Sequence, residues 1–416
     1  MEWRNLARNL LLALALLDLC MGSSRAGDWP QILGSHRDGR TDDEKIVEAL
    51  PAAGLRPVWQ RGIGEGYAGV AVSGGRVVLF HRVEGDEVVE GLDAATGKPL
   101  WSAKFATPAP SSMDSDKGPR CVPVISGERV FLFGAGGNLY AVSLKKGEKL
   151  WSRDLTTDFN IPDSYFGCGS SPMVVGDKVL LNVGGRGARH GIAAFSVKDG
   201  STVWQSVNDA ASYSSPIVAT HDGVKHAIFV TRLNVVSLDP ETGRERFRYP
   251  FGRRGPTVNA ACPLVVDGHL FLSASYGVGA LFGKFTKDSF TEIWANDDTM
   301  SSQYSTCVLH DGLLYGVDGR EDVGVARLRC IEPRTGKVRW TEEGFGVAAP
   351  ILADGKLLLQ KTDGTLVLAE PSPKSFRSLG SAKLMNDTTR ALPALSQGRY
   401  FLRDSRTLKC FDLSRK

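Results

Sequence analysis

Between residues 56 and 416 the apolar positions fall into short alternating runs, each closed by a polar turn, and the runs themselves repeat. Gly91-Leu92-Asp93-Ala94-Ala95-Thr96-Gly97-Lys98-Pro99-Leu100-Trp101 reads as a strand, a tight turn with an acid and a Thr-Gly, and a second strand ending in a large aromatic. The same pattern returns at Ala141 to Trp151, Phe195 to Trp204, Leu238 to Phe247 and Ile331 to Trp340. From Trp59 to Trp340 the closing aromatics are spaced by 42, 50, 53, 43, 47 and 46 residues. Periods of about 40–50 residues with about four strands each mark propeller blades.

Each unit also opens alike. Pro263-Leu264-Val265-Val266-Asp267-Gly268-His269-Leu270-Phe271-Leu272 is strand, Asp-Gly turn, strand, which is a hairpin signal. Counterparts start at Val70, Pro123, Pro172, Pro216, Cys307, Pro350 and Pro393, so eight blades are expected. The last supplies only three strands (Pro393 to Leu395, Arg399 to Arg403, Leu408 to Leu413), while Arg56-Pro57-Val58-Trp59 is a closing strand with no blade before it. Pairing the two completes the eighth blade and leaves no open sheet edge. The expected fold is all-β: an eight-bladed propeller of four-stranded antiparallel blades over 56–416, closed by its N-terminal strand. The recurrent Trp has a structural role in this reading, buried between blades with its indole N–H satisfied. The Gly of each turn supplies positive φ.

Composition adds bounds. The chain is 42% hydrophobic and 23% charged with a net charge of +4, which gives no argument for nucleic acid as a partner. Arg4 and Arg8, the apolar run Leu10 to Leu17 and Ser24-Arg25-Ala26 form a signal-peptide pattern over 1–26, too short for a spanning helix. Export to the periplasm or outside the cell is therefore expected, with no transmembrane span in the mature chain and a net charge of +3 beyond residue 26. Residues 27–55 read as an extension packing on the propeller. Cys121, Cys168, Cys262, Cys307, Cys330 and Cys410 stand where other repeats carry small residues, so they read as small buried hydrophobes without disulfides. No CxxC or His-rich cluster suggests a metal. Asn296-Asp297-Asp298 is the nearest acidic cluster, and it reads as a solvated turn.

The Leu-Asp-x-x-Thr-Gly-x-x-x-Trp pattern, repeated in varied form, resembles the pyrroloquinoline-quinone (PQQ) repeat propellers. These occur in quinoprotein alcohol dehydrogenases and in the propeller lipoprotein of the outer-membrane β-barrel assembly machinery. Asp28 to Gly39 (Asp-Trp-Pro-Gln-Ile-Leu-Gly-Ser-His-Arg-Asp-Gly) is similar to the opening of PQQ-like propellers in exported bacterial proteins, notably of planctomycetes. For a dehydrogenase the resemblance implies an adjacent Cys-Cys pair and a carboxylate/amide set holding Ca²⁺. This chain has no Cys-Cys anywhere, so no cofactor is expected, with PQQ and Ca²⁺ kept as the alternative.

A site follows from aligning the repeats. Three residues before each blade start stand Tyr67, Arg120, Gly169, Tyr213, Ala260, Tyr304, Val347 and Arg390, at one level near the axis. The following positions, Ala68, Cys121, Ser170, Ser214, Ala261, Ser305, Ala348 and Ala391, are all small, as crowded inner strands require. The long connections, Ser102–Pro119, Ser152–Gly167 and Ala295–Ser302, feed the same level, and extra loop on one face marks the face that binds. Tyr67, Arg120, Tyr213, Tyr304 and Arg390 are the candidate ligand-binding residues, suited to an anionic or planar ligand. The structural alternative is Tyr hydroxyls capping strand ends and Arg paired with acids such as Asp114 or Asp116. Gly184 to Gly191 imitates a phosphate loop but has no helix after it, and reads as a mobile hairpin tip.

Two function classes remain. One is an exported non-catalytic propeller that binds an envelope protein, peptide or glycan. The other is a PQQ-dependent quinoprotein oxidoreductase, resting on the resemblance and the axial Arg/Tyr set. A hydrolase or lyase lacks a paired acid and base in the aligned positions.

Overall fold

The computed structural model describes residues 27–415 except 109, 111, 112, 114, 163, 164, 256 and 258. The signal-peptide segment 1–26 and Asp114 lie outside the described residues. The chain forms eight four-stranded antiparallel sheets arranged as an eight-bladed propeller. Seven inner strands begin one residue after their expected starts, and that of blade seven begins at Ala348, two residues early.

The ring closes as the repeat count requires. The strand Trp59–Gly62 pairs antiparallel with the last strand, Thr407–Asp412, Trp59 opposite Cys410. Arg403, 1% exposed, lies across this closure and donates to the carbonyls of Phe80 in blade one and Gly64. Burial lowers its pKa to about 10, so it stays charged at neutral pH.

Blades are joined by the recurring turn and its aromatic. Trp59, Trp101, Trp151, Trp204, Trp294 and Trp340 each donate the indole N–H to a turn carbonyl of the following blade, at 2.8–3.1 Å. The ring lies on the turn glycine: a Cβ on Gly147 would stand 2.3 Å from the Trp101 ring, and one on Gly200 2.6 Å from Trp151. Just after this turn a register shift leaves an extra residue, so Leu100, Leu150 and Val203 face solvent while the adjacent Trp turns inward. Blade four carries Phe247 instead, and blade five answers with Phe290 stacked at 5.8 Å in place of a Thr-Gly turn. At about 25 cal/mol per Å² and about 200 Å² per ring, each Trp contributes a gross burial term of roughly 5 kcal/mol.

The N-terminal segment crosses the face opposite the aligned mouth positions. Trp29 pairs with Val72, Arg40 with Leu352 and Ile46 with Ser414, all at the far ends of inner strands or of the closing sheet. Trp29, Ile46 and Leu50 join the core shared by blades seven, eight and one. Glu44 accepts the N–H groups of Gln397 and Gly398 at 2.6 and 2.7 Å. Arg37, 1% exposed, donates to the carbonyls of Ser171 and Pro172 inside the ring.

The six cysteines among the described residues are free, five of them buried and Cys168 partly so. The expected mobile tip at Gly184 to Gly191 is instead tied down. Gly184 and Gly185 bond back to Gly191 and His190, and His190 packs edge-on against Phe159. Phe159 belongs to a short helix, α1 (Leu155–Phe159), capped by Asp154 accepting from Thr156 and Thr157 N–H. No helix among the described residues is long and apolar enough to cross a membrane.

Candidate functional site at the channel mouth

The inner strands carry their first residues toward the axis, so the positions just before them meet there. Tyr67, Arg120, Gly169, Tyr213, Ala260, Tyr304 and Arg390 all line one cavity of about 810 Å³. Val347, the eighth aligned position, is buried and does not line it. Met113, Ser115 and Phe166 of the long connections form part of the wall. Ile32 of the N-terminal segment lines the cavity too.

Tyr67 is the meeting point of the two arginines. The Cζ atoms of Arg120 and Arg390 lie 5.3 and 5.5 Å from its ring centroid, and Arg390 Nη1 donates to its hydroxyl at 3.2 Å. Arg390 Nε donates to Glu321 at 2.8 Å, and the Tyr304 hydroxyl donates to the same carboxylate oxygen at 3.0 Å. Burial opposes the charge on Arg390, but the Glu321 carboxylate and Tyr67 outweigh it and raise its pKa. Burial and the Glu321 charge together raise that of Tyr304, so its hydroxyl remains a donor. Arg120 donates to the carbonyls of Gly118 and Asp116 at 3.0 and 3.2 Å. The Asp116 carboxylate accepts instead from the Gly66 and Gly118 N–H groups. Tyr213 accepts from the Phe166 N–H at 3.1 Å, fixing the second long connection against the wall.

Four residues absent from the sequence reading complete the site: Tyr276, Gln303, Glu321 and Asp322. Gln303 donates to the Tyr276 hydroxyl at 2.8 Å and to Asp322 at 3.1 Å, and accepts from the Glu321 N–H. Arg320 and Asp322 form an ion pair that lowers the Asp322 pKa through the Arg320 hydrogen bond. Glu321 and Asp322 sit on the hairpin between two eight-residue strands of blade six, Leu313–Arg320 and Val325–Glu332. The charged run Arg320-Glu321-Asp322 on that long hairpin was the available signal. The mouth is thus a mixed, prepaired surface of two cations, two anions and several hydroxyls.

The family model described as outer membrane protein assembly factor BamB (PQQ_2) matches residues 43–188 and 85–342. The chain belongs to this family. The outer membrane protein assembly factor BamB of Yersinia pestis is 24% identical to it over 352 residues, spanning 78% of this chain and 80% of that protein. The crystal structure of BamB from Moraxella catarrhalis superposes with a TM-score of 0.62 at 14% identity, covering 86% of this chain and 99% of that one. The quinohemoprotein alcohol dehydrogenase of Comamonas testosteroni gives 0.65 at 13% identity, covering 95% and 82%. These likenesses show the PQQ-repeat propeller fold, which BamB-type and dehydrogenase-type proteins share.

The donor set at the mouth does not fit the Ca²⁺ that would accompany PQQ. Glu321 is taken up by Arg390 and Tyr304, and Asp322 by Arg320 and Gln303. Among the described residues no three His, Cys, Asp or Glu side chains converge as metal ligands. Ca²⁺ takes six to eight oxygens in one shell. Cys121, beside Arg120, is buried, and burial raises its thiol pKa to about 12.

Proposed function

We propose that this protein is an exported, non-catalytic propeller that binds a protein, peptide or glycan of the cell envelope with its loop face. The observation that carries the reading is the mouth itself. Aligned positions of seven blades converge on one polar-aromatic cavity whose charges are already held in place by neighbours. Such a surface is preorganised for recognition, because its donors and acceptors need little reordering on binding. Its described lining contains no His, Cys or Lys from which a nucleophile and base could be paired. Membership of a family described as an outer membrane protein assembly factor agrees with an envelope partner.

The test places a photo-crosslinking residue at Ala260 in the mouth and irradiates intact cells. A discrete adduct that disappears in Arg120→Ala with Arg390→Ala is expected. Adducts unchanged by the double substitution would remove the mouth as the site. Purified protein mixed with PQQ and Ca²⁺ should show neither a retained chromophore nor dye-linked alcohol oxidation; either one would replace this reading with the oxidoreductase.

A further inference from the structure

A second concavity shares Tyr276 with the mouth. Tyr276 lines the mouth and also a shallower shelf of about 620 Å³, whose walls include Arg253, Arg254, Arg320, Val323 and Val325. Arg253 and Arg254 lie in the connection from blade four to blade five. Tyr276 and Gly277 turn between two strands of blade five, His269–Ala274 and Gly279–Phe285, and the two valines belong to the blade-six hairpin.

Three independent features set this shelf apart. First, Tyr276 holds φ at 69°, a left-handed conformation unusual for an aromatic residue, and such departures concentrate at working surfaces. Its surroundings keep it there: Gln303 bonds its hydroxyl, the Arg320 guanidinium lies 4.0 Å from its ring centroid, and Arg253 donates to its carbonyl at 3.4 Å. Gly277 makes room for that arginine, since a Cβ there would stand 2.8 Å from Arg253 Nη1. Second, the charge is one-sided. Arg320 is taken up by Asp322, but the exposed Arg253 and Arg254 have no carboxylate within ion-pair distance among the described residues, and Asp297 is the one acid lining the shelf. Third, Val323 and Val325 are 57% and 54% exposed beside those arginines.

We propose that the shelf binds an extended acidic segment of a partner protein, its carboxylates on Arg253 and Arg254 and an apolar side chain on Val323 and Val325. The segment then runs past Tyr276 into the mouth. This rests on the reading that the loop face binds protein, and it narrows the partner to one chemistry. Arginine pairs with carboxylates in a two-pronged geometry, and rim charges of this kind raise association rates and make them salt-sensitive. A nucleic acid or other phosphate chain would leave the two exposed valines unused.

The probe is a fluorescein-labelled peptide of about twelve residues alternating Glu and Val, measured by anisotropy at about 0.15 M salt. Controls are the Lys-Val and Glu-Ser peptides and a short DNA duplex. The full mature chain should bind Glu-Val at least about tenfold more tightly than any control. Arg253→Ala with Arg254→Ala should lose about tenfold, and reversing both to Glu should shift preference to Lys-Val. Val323→Ser with Val325→Ser should weaken Glu-Val by about tenfold, to the level of Glu-Ser, and leave Glu-Ser unchanged. Equal binding of Glu-Ser or DNA, or arginine variants that bind like the parent, would overturn the shelf. Mouth adducts that persist while the peptide fails would sink the shelf and leave the loop-face reading standing. Peptide binding without mouth adducts would support the shelf and count against the mouth.

Discussion

Arg390, on the connection into blade eight, donates at 2.8 Å to Glu321 on the hairpin of blade six. The Tyr304 hydroxyl shares that same carboxylate oxygen, so one anion organises a cation and an aromatic donor at the mouth. Alignment of repeats brings Arg390 and Tyr304 to one level, but it gives no reason for a hairpin tip to reach them.

This arrangement predicts a small structural and a larger functional effect. Arg390 and Glu321 side chains are 39% and 25% exposed, so solvent screens the pair and it is expected to contribute only about 0–1 kcal/mol. A denaturant double-mutant cycle of Arg390→Ala and Glu321→Gln should return a coupling in that range, while mouth crosslinking falls sharply. A coupling of several kcal/mol would assign the pair to the framework rather than to recognition.

Stability should also depend on pH through His226. The ring is buried, its Nδ1 is 2.9 Å from Ser237 Oγ and it lies edge-on to Phe285. Burial first, and then the nearby Arg246 charge, lower its pKa from 6.5 to about 4. The folded state therefore binds this proton less readily than the unfolded chain, whose His titrates near 6.5. The contribution is complete above pH ~6.5 and is lost as pH falls toward ~4. Urea midpoints followed across this window should drop, and His226→Gln should flatten that part of the curve. An unchanged slope in the variant would assign the acid limb to other groups.

Two glycines separate backbone strain from blade packing. Gly127 has φ 56° with open space around it, whereas Gly147 has φ 71° and lies under Trp101. Gly127→Ala should cost about 1 kcal/mol, the ordinary penalty of a side chain at positive φ. Gly147→Ala should cost about 2–4 kcal/mol, because the Trp101 ring must also move. Equal losses in chemical denaturation would mean that the ring does not depend on this contact.

Much of the fold was legible because its signals are local and repeated. The Trp at the close of six blades and the Asp-x-x-Thr-Gly turns need only a neighbouring identical unit to explain them. The pairing of Trp59 with Cys410 followed from the same count, since a blade missing one strand and a strand missing its blade have a single shared solution. Of the mouth, the aligned Tyr67, Arg120, Tyr213, Tyr304 and Arg390 do line one cavity, which the common register of inner strands requires. Their partners were not legible. Arg120 donates to the carbonyls of Gly118 and Asp116, while the Asp116 carboxylate accepts from the N–H groups of Gly66 and Gly118, contacts that no alignment of repeats announces.

What the sequence alone determined, then, is the architecture: blade number, strand order, closure and the ring of inner positions. Those depend on period-two alternation and turn chemistry, which act within a few residues and recur eight times. Only the tertiary structure decided which irregular residues meet. Glu321 and Tyr276 reach the mouth because of hairpin length and blade twist, and Arg37 with Ile32 enters the ring because residues 27–55 cross its far face. No repeat encodes those positions, so no internal comparison could reveal them; their energies come from contacts between segments up to several hundred residues apart, settled only when the ring has closed.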